Sequence, residues 1–409
     1  MFRKLPTLDE ARKIIDNHFS LSPIGTEKVP LLEAFNRVIA EDVVAPMDIP
    51  PFDRSTVDGY AVVAEDTAGA DENHPVTLSV CGDVSVGELP KVKVKPGEAA
   101  EIVTGAPIPE GADAVVMAEY VVCKNSVIHV NSAVVKGENI MKRGADIRKG
   151  ETVLRKHDVL RSKEIGVLAA LGLAKAKVFA VPRVAVFSTG AEITEPGLKL
   201  GKGKIYDINA YSLSIAVQES GGQPVYLGVF PDNMRDIQNA LKKALSSADM
   251  VVTSGGVSVG PKDFMPKALN ALGKPGVILC GIAIKPGKPA TVASVDGKPV
   301  FSLPGHPASA LLVFHLIVNP LIRRMSGRPR EEPAKVKATA EMRMFSAKGR
   351  RTFIMVNVEQ DKLGKLIAKP VATGLSGAIT TLAKADGFVE IAEDVQFVDA
   401  GDEVDVQLF

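Results

Sequence analysis

The chain has 409 residues, 46% of them hydrophobic and 24% charged, which excludes extensive disorder and suits about two to four folded domains. Lys plus Arg number 49 against 48 Asp plus Glu, a net charge of +1, so the basic excess of a nucleic-acid binder is missing and an anionic partner must be met by a local pocket. Aromatic residues make up 5% and Trp is absent, leaving little for base stacking or a membrane belt. Cys81, Cys123 and Cys280 form no CxxC pair, so the sequence encodes neither a disulfide framework nor a structural zinc site, and a reducing, cytoplasmic setting is expected. The N-terminus has no apolar targeting run, and the stretch Ala310 to Val318 is too short to span a bilayer, so a soluble protein with no membrane partner is expected.

Thr7 and Glu10 spell a capping box, and apolar Leu8, Ala11, Ile14, Ile15 and Phe19 follow at helical spacing. From about residue 45 the pattern predicts short strands at Val57 to Val63, Val76 to Val86, Ala99 to Val103, Ala114 to Val122 and Ser126 to Val130. A helix is expected over Leu160 to Leu171. Strand and helix then alternate from about 178 to 325, which predicts parallel βαβ units and a doubly wound layer with functional loops at the strand C-termini. Its strands are placed at 184–187, 225–230, 250–253, 277–284 and 300–303, with a long closing helix from Ala308 to Met325. Arg323, Arg324, Arg328 and Arg330 read as helix-end charges and linker. Five short strands between Val336 and Leu408 finish the chain. The predicted architecture is a helical arm in two segments (1–45 and 140–177), a β insertion (46–139), an α/β core (178–326) and a C-terminal β unit (327–409).

Ser254 to Asp263, a segment with three glycines between a strand and a helix, lets backbone N–H groups approach an anion closely, and Ser258 can add a hydroxyl. It is not a Walker loop, because Pro261 follows Gly260. Gly256-Val-Ser258-Val-Gly260 also fits G-x-S-x-G, but Val259-Gly-Pro261 delays the helix that a nucleophile elbow requires. Lys285-Pro-Gly-Lys288 places two point charges on a stiff loop suited to a tetrahedral oxyanion. In Ser302 to Ser309, Pro307 suits a first helical turn, and His306 reads either as a solvated loop residue or as a ligand or base. Glu192, Asp232 and Asp263 recur at predicted strand ends, where acids act as helix caps or together hold Mg2+ beside phosphate oxygens. Two polar segments of the insertion, Pro50 to Tyr60 and Thr104 to Pro109, read as turns or as parts of a site.

Eight segments in this order, PPFDRSTVDGYAV, TGAPIPEGADAVV, KRGADIRKG, FSTGAEI, SGGVSVGPKDF, IKPGKPA, SLPGHPASA and SGAITTLAKADGFVEI, resemble the molybdopterin molybdenumtransferase family of MoeA type, also found as the E domain of gephyrin. The resemblance runs from about residue 5 to the C-terminus. It implies a homodimer of four-domain subunits with a molybdopterin-binding α/β domain and a C-terminal β-barrel. It further implies that molybdate and adenylylated molybdopterin are converted to molybdenum cofactor with release of AMP and with Mg2+ as the metal ion. On this resemblance Asp232 and Asp263 bind the metal with Glu192 nearby, and Gly255, Gly256 and Ser258 cradle phosphate. Lys285, Lys288, Ser309, Ser376 and Arg350 or Arg351 hold molybdate, and Pro304 and Pro307 belong to the same cofactor-binding set. Asp58, Thr104 and Asp146 match family positions and would complete the pocket from the partner subunit. An upstream adenylyltransferase is a further expected partner.

Two positions depart from the family pattern: Ala191 where an acid is frequent, and His306 where Asn or Tyr is common. The first bears on one metal or water contact, and the second leaves the choice between molybdate and tungstate open. Two alternatives remain at this point: an adenylyltransferase, which would need neither insertion nor tail, and a gephyrin-like scaffold.

Overall fold

The computed structural model describes residues 5–19, 21–256, 264–329, 334–371 and 379–409. The helix Leu8–His18 opens as its capping box requires: Thr7 Oγ1 accepts from Glu10 N at 3.2 Å, and Thr7 N donates to Glu10 Oε2 at 2.8 Å. Its apolar face does not join the arm. Leu8, Ala11, Ile15 and Phe19 belong to the same buried cluster as Val186, Phe301 and Phe314 of the α/β core. The arm's own core consists of Val29, Ala34, Ile39, Leu154, Leu160, Leu168, Ala176 and Val178, drawn from two distant segments. Antiparallel pairing of Thr26–Pro30 with Lys175–Phe179 and of Val43–Val44 with Thr152–Leu154 staples them together.

The insertion is a six-stranded sheet in the order Ala114–Met117, Gly59–Val62, Glu98–Ile102, Val76–Val84, Val127–Val130, Val121–Lys124. Both faces carry apolar clusters, centred on Val62 and Ile128 on one side and Ala61 and Ile102 on the other.

The α/β core is a six-stranded sheet in the order Gln223–Phe230, Arg183–Thr189, Met250–Ser254, Lys298–Leu303, Thr291–Val295, Pro275–Cys280. The first four are parallel; the helix Asn209–Glu219 leads from Arg183–Thr189 to Gln223–Phe230, Met234–Ser247 leads from there to Met250–Ser254, and Met265–Leu272 leads on to the edge strand Pro275–Cys280. Two apolar clusters cover its faces. The strand Thr291–Val295, not expected from the sequence, runs antiparallel to both neighbours and makes the sheet mixed. All five of its residues are buried, which erases the alternation that would reveal it. Helix Pro307–Met325 contains a π turn at Phe314–Val318. Among the described residues it alone is long and apolar enough to cross a membrane, yet most of it lies inside the protein's own core.

In the C-terminal unit the strands Arg351–Gln360, Leu366–Pro370, Lys335–Ala340, Glu403–Leu408 and Gly387–Ile391 pair in sequence, and the last pairs back onto the first. The result is a closed five-stranded barrel filled by Ala338, Val356, Ala368, Val389 and Val406.

Candidate functional site

The four parallel strands end at Thr189, Phe230, Ser254 and Leu303, and the loops leaving these ends gather at one sheet edge. Gly255 and Gly256 follow Ser254 with φ of +93° and +67°. A Cβ on Gly255 would lie 2.2 Å from the Thr189 carbonyl oxygen, so the backbone comes this close only without a side chain. Behind the loop, Asn209 Nδ2 donates to Ser254 Oγ at 2.7 Å and to the Gly305 carbonyl at 2.8 Å, while Ser254 Oγ donates to the Pro304 carbonyl at 3.0 Å. The glycine loop and the Pro304–Pro307 turn are thereby tied to each other.

Asp207 caps the same helix: its Oδ1 accepts from Ser188 Oγ at 2.9 Å and from Ala210 N at 3.2 Å. Burial pushes its carboxyl above the ordinary carboxylate value. Asp232, beyond Phe230, is also raised, first by burial and then by the charge of Glu192. Its Oδ1 is buried without a partner, and a Cβ on Gly256 would lie 3.7 Å from it. An acid held next to a second acid, with an unpartnered oxygen beside a backbone cradle, fits a hard divalent cation that takes few protein oxygens and completes its shell with phosphate and water. Among the described residues no group of three or more His, Cys, Asp or Glu side chains converges. Asp263, Ser258 and Ser376 lie outside the described residues.

The lysine loop reaches the same edge through strand register. Thr291 lies opposite Ser302 on the antiparallel neighbour, so residues 285–290 emerge beside the Pro304–Pro307 turn. Ile282 N donates to the Lys288 carbonyl at 3.0 Å and closes the loop, and Gly287 packs so tightly that a Cβ would meet Val313 Cγ2 at 2.5 Å. Lys285 and Lys288 are exposed, whereas Ser309, in the first turn of Pro307–Val313, is buried. Arg350 has no side-chain partner among the described residues. Arg351 is instead held by Asp9 Oδ2 at 2.8 Å, Glu393 Oε1 at 3.1 Å and Glu390 Oε1 at 3.3 Å. Burial disfavours its charge, but the Asp9 and Glu393 carboxylates keep the guanidinium above its ordinary value.

The remaining candidates, Asp58, Thr104 and Asp146, lie in the insertion and in the arm segment that follows it. Asp58 Oδ1 accepts from Thr104 N at 2.6 Å and from Thr104 Oγ1 at 2.8 Å, which holds the Asp58 carboxyl below its usual value. Nearby, Asp53 meets Lys142 at 2.8 Å and Asp48 meets Arg143 at 2.7 Å, and Asp146 N donates to the Ile49 carbonyl at 3.0 Å. The partners fixing Asp58, Thr104 and Asp146 all lie between residues 45 and 151.

Ser188, Asp207 and Asn209 escaped the sequence reading. Their signals were two polar residues ending the apolar run Val184 to Phe187 and an Asp-x-Asn at the start of a helix.

Residues 6–172 match the family described as the MoeA N-terminal region (domain I and II), 185–324 a "probable molybdopterin binding domain" and 337–409 the MoeA C-terminal region (domain IV). A molybdopterin molybdenumtransferase of Haemophilus influenzae is 35% identical, with 98% of each chain covered. One from Nostoc is 33% identical over 98% of this chain and 94% of the relative. A crystal structure of a molybdopterin biosynthesis MoeA protein from Pyrococcus horikoshii aligns with a TM-score of 0.85 at 44% identity over 99% of each chain.

Proposed function

The chain belongs to the MoeA-type molybdopterin molybdenumtransferase family, and from that premise we propose that it takes molybdate and adenylylated molybdopterin and yields molybdenum cofactor with release of AMP. The observation that carries this reading is the meeting, at one sheet edge, of a side-chain-free glycine cradle, an unpartnered carboxylate oxygen and a two-lysine loop. A phosphoanhydride and a tetrahedral dianion need these groups side by side.

In the proposed mechanism the Gly255–Gly256 backbone receives a substrate phosphate, with Asn209 holding that loop in register with Pro304–Pro307. Lys285, Lys288, Ser309 and Arg350 hold molybdate against the pterin's sulfurs, whose softness makes protein thiolates unnecessary. Asp232 and Glu192, with Asp263, would hold Mg2+, which when bound neutralises phosphate charge during anhydride cleavage. Asp58, Thr104 and Asp146 reach this pocket from the other subunit of a homodimer. Two observations support the dimer: the hydrogen-bond partners that hold Asp58, Thr104 and Asp146 come from residues 45–151, and Tyr211, Ile215 and Tyr226 expose apolar surface on the α/β domain's outer strand and helix. Three cysteines without disulfide partners suit a cytoplasmic setting, where an adenylyltransferase supplies the substrate.

The test is transfer of the metal itself. The chain, Mg2+, molybdate and adenylylated pterin are incubated with a molybdenum-free molybdoenzyme, whose recovery of activity and bound molybdenum is followed. Recovery that requires this chain supports the proposal, and equal recovery without it defeats it.

A further inference from the structure

The short strand Ile284–Lys285 lies outside the α/β sheet. It pairs in parallel with the barrel strand Arg351–Gln360, Ile284 opposite Arg351 and Lys285 opposite Thr352, and Arg351 N donates to the Ala283 carbonyl at 3.1 Å. Side chains alternate across a strand, so Ile284 and Arg351 face one way and Lys285 the other. Ile284 is 1% exposed and the Arg351 side chain 16%; on the opposite face Lys285 is exposed although its neighbour Thr352 is buried. On the buried side, one guanidinium joins Asp9 of the opening helix to Glu390 and Glu393 of the barrel. The opening segment also touches the loop directly, because Ala283 N donates to the Pro6 carbonyl at 2.8 Å and Leu5 Cδ2 covers Gly281. Further along, the helix is pinned by Asp16 to Arg324 at 2.6 Å and by Arg12 to the Leu316 carbonyl within the π turn.

We propose that Asp9 and Arg351 are positioning residues: the opening helix and the barrel clamp the oxyanion loop from behind, and the loop's affinity depends on an ion-pair cluster that never touches the ligand. This rests on the oxyanion-binding reading of Lys285 and Lys288. Two lysines on long flexible stems bind a dianion well only if their backbone is already fixed, since ordering the loop on binding would consume the gain. Removing Arg351 leaves three carboxylates facing one another and drives helix and barrel apart, so it does more harm than neutralising Asp9 alone.

The experiment uses the full chain as wild type, Asp9→Asn, Arg351→Met and Arg351→Lys. Molybdate-dependent turnover, calorimetric binding of molybdate, pterin binding and amide hydrogen exchange are measured on each. The molybdate KM and Kd rise about threefold in Asp9→Asn and about tenfold in Arg351→Met, with kcat changed by no more than about twofold. Pterin affinity is unchanged, Arg351→Lys recovers part of the loss, and the Lys285, Gly287 and Lys288 amides exchange faster in the two damaging variants. A folded Arg351→Met with wild-type molybdate Kd and loop protection overturns the clamp, as does an equal loss of pterin affinity. If the wild type neither binds nor turns over molybdate, the oxyanion reading falls first. Exchange then decides the clamp alone: unchanged loop protection in the variants overturns it.

Discussion

Asn209 donates to Ser254 from a side chain that is almost fully buried, and the same amide nitrogen reaches the Gly305 carbonyl, so one residue ties two loops of the site. Replacing Asn209 with Ala leaves the buried Ser254 hydroxyl and the Gly305 carbonyl without that donor and costs about 1–3 kcal/mol of stability. Adenylylated pterin binding weakens as the two loops separate. Asn209→Asp does worse than Ala, because it sets a carboxylate oxygen against two acceptors. Chemical denaturation and a pterin titration on the three proteins check the order.

The two glycines of the cradle differ in what they tolerate. Gly255→Ala drives a Cβ into the Thr189 carbonyl at 2.2 Å and abolishes pterin binding, since backbone must move. Gly256→Ala meets Thr189 Oγ1 at 3.1 Å, the end of a side chain, so its main cost is the left-handed backbone, about 1–2 kcal/mol. It should retain measurable binding, read by the same titration.

Asp232 is raised by burial and by Glu192, so it takes up a proton at higher pH than an ordinary aspartate. If Asp232 holds Mg2+ as proposed, activity falls on acidification before it would at an unperturbed site. Glu192→Gln removes the neighbouring charge and moves that acid limb to lower pH, while lowering the maximal rate. A pH–rate profile with the limb unmoved in Glu192→Gln would mean that burial alone sets the shift.

Asp207 gives a stability test with a definite sign. Its folded carboxyl is raised above 3.8, so the folded state binds the proton more tightly than the unfolded chain. The ionised form is the unfavourable one, and folding gains stability as pH falls through the raised value toward 3.8. Asp207→Asn keeps an oxygen for Ser188 and Ala210 and loses that dependence. Urea midpoints across this acid range should converge for wild type and variant at the low end and favour the variant near neutrality.

The dimer can be tested by mixing lesions. Asp58→Ala and Lys285→Ala, each inactive alone, are unfolded together and refolded. If Asp58 serves the partner's site, each mixed dimer holds one intact site of two, and random assortment returns about a quarter of wild-type activity. Recovery near zero places both residues in one chain's site.

What the sequence disclosed followed its local chemistry. Thr7 and Glu10 gave the first helix start, and short strand-like runs gave the barrel strands, because these signals lie within a few residues. The hairpin joining Thr291–Val295 to Lys298–Leu303 was readable in Asp296-Gly297, whose φ values of 52° and 84° are those of a tight hairpin turn. It was passed over because the strand before it is uniformly buried. Asp9 with Arg351 and Asn209 with Ser254 join residues 342 and 45 positions apart, and no spacing rule reaches that far. The lysine loop and glycine segment were legible as anion-binding chemistry. That Arg351 is consumed by carboxylates while Arg350 is not could only come from packing.

The most direct test is AMP release from adenylylated molybdopterin with Mg2+, with and without molybdate, on wild type and Asp232→Ala. The account predicts AMP only when molybdate is present, and at least a hundredfold less from the variant, on the order expected for losing a group that stabilises the transition state. Tight pterin binding without molybdate-dependent AMP release, or full release from Asp232→Ala, would contradict it.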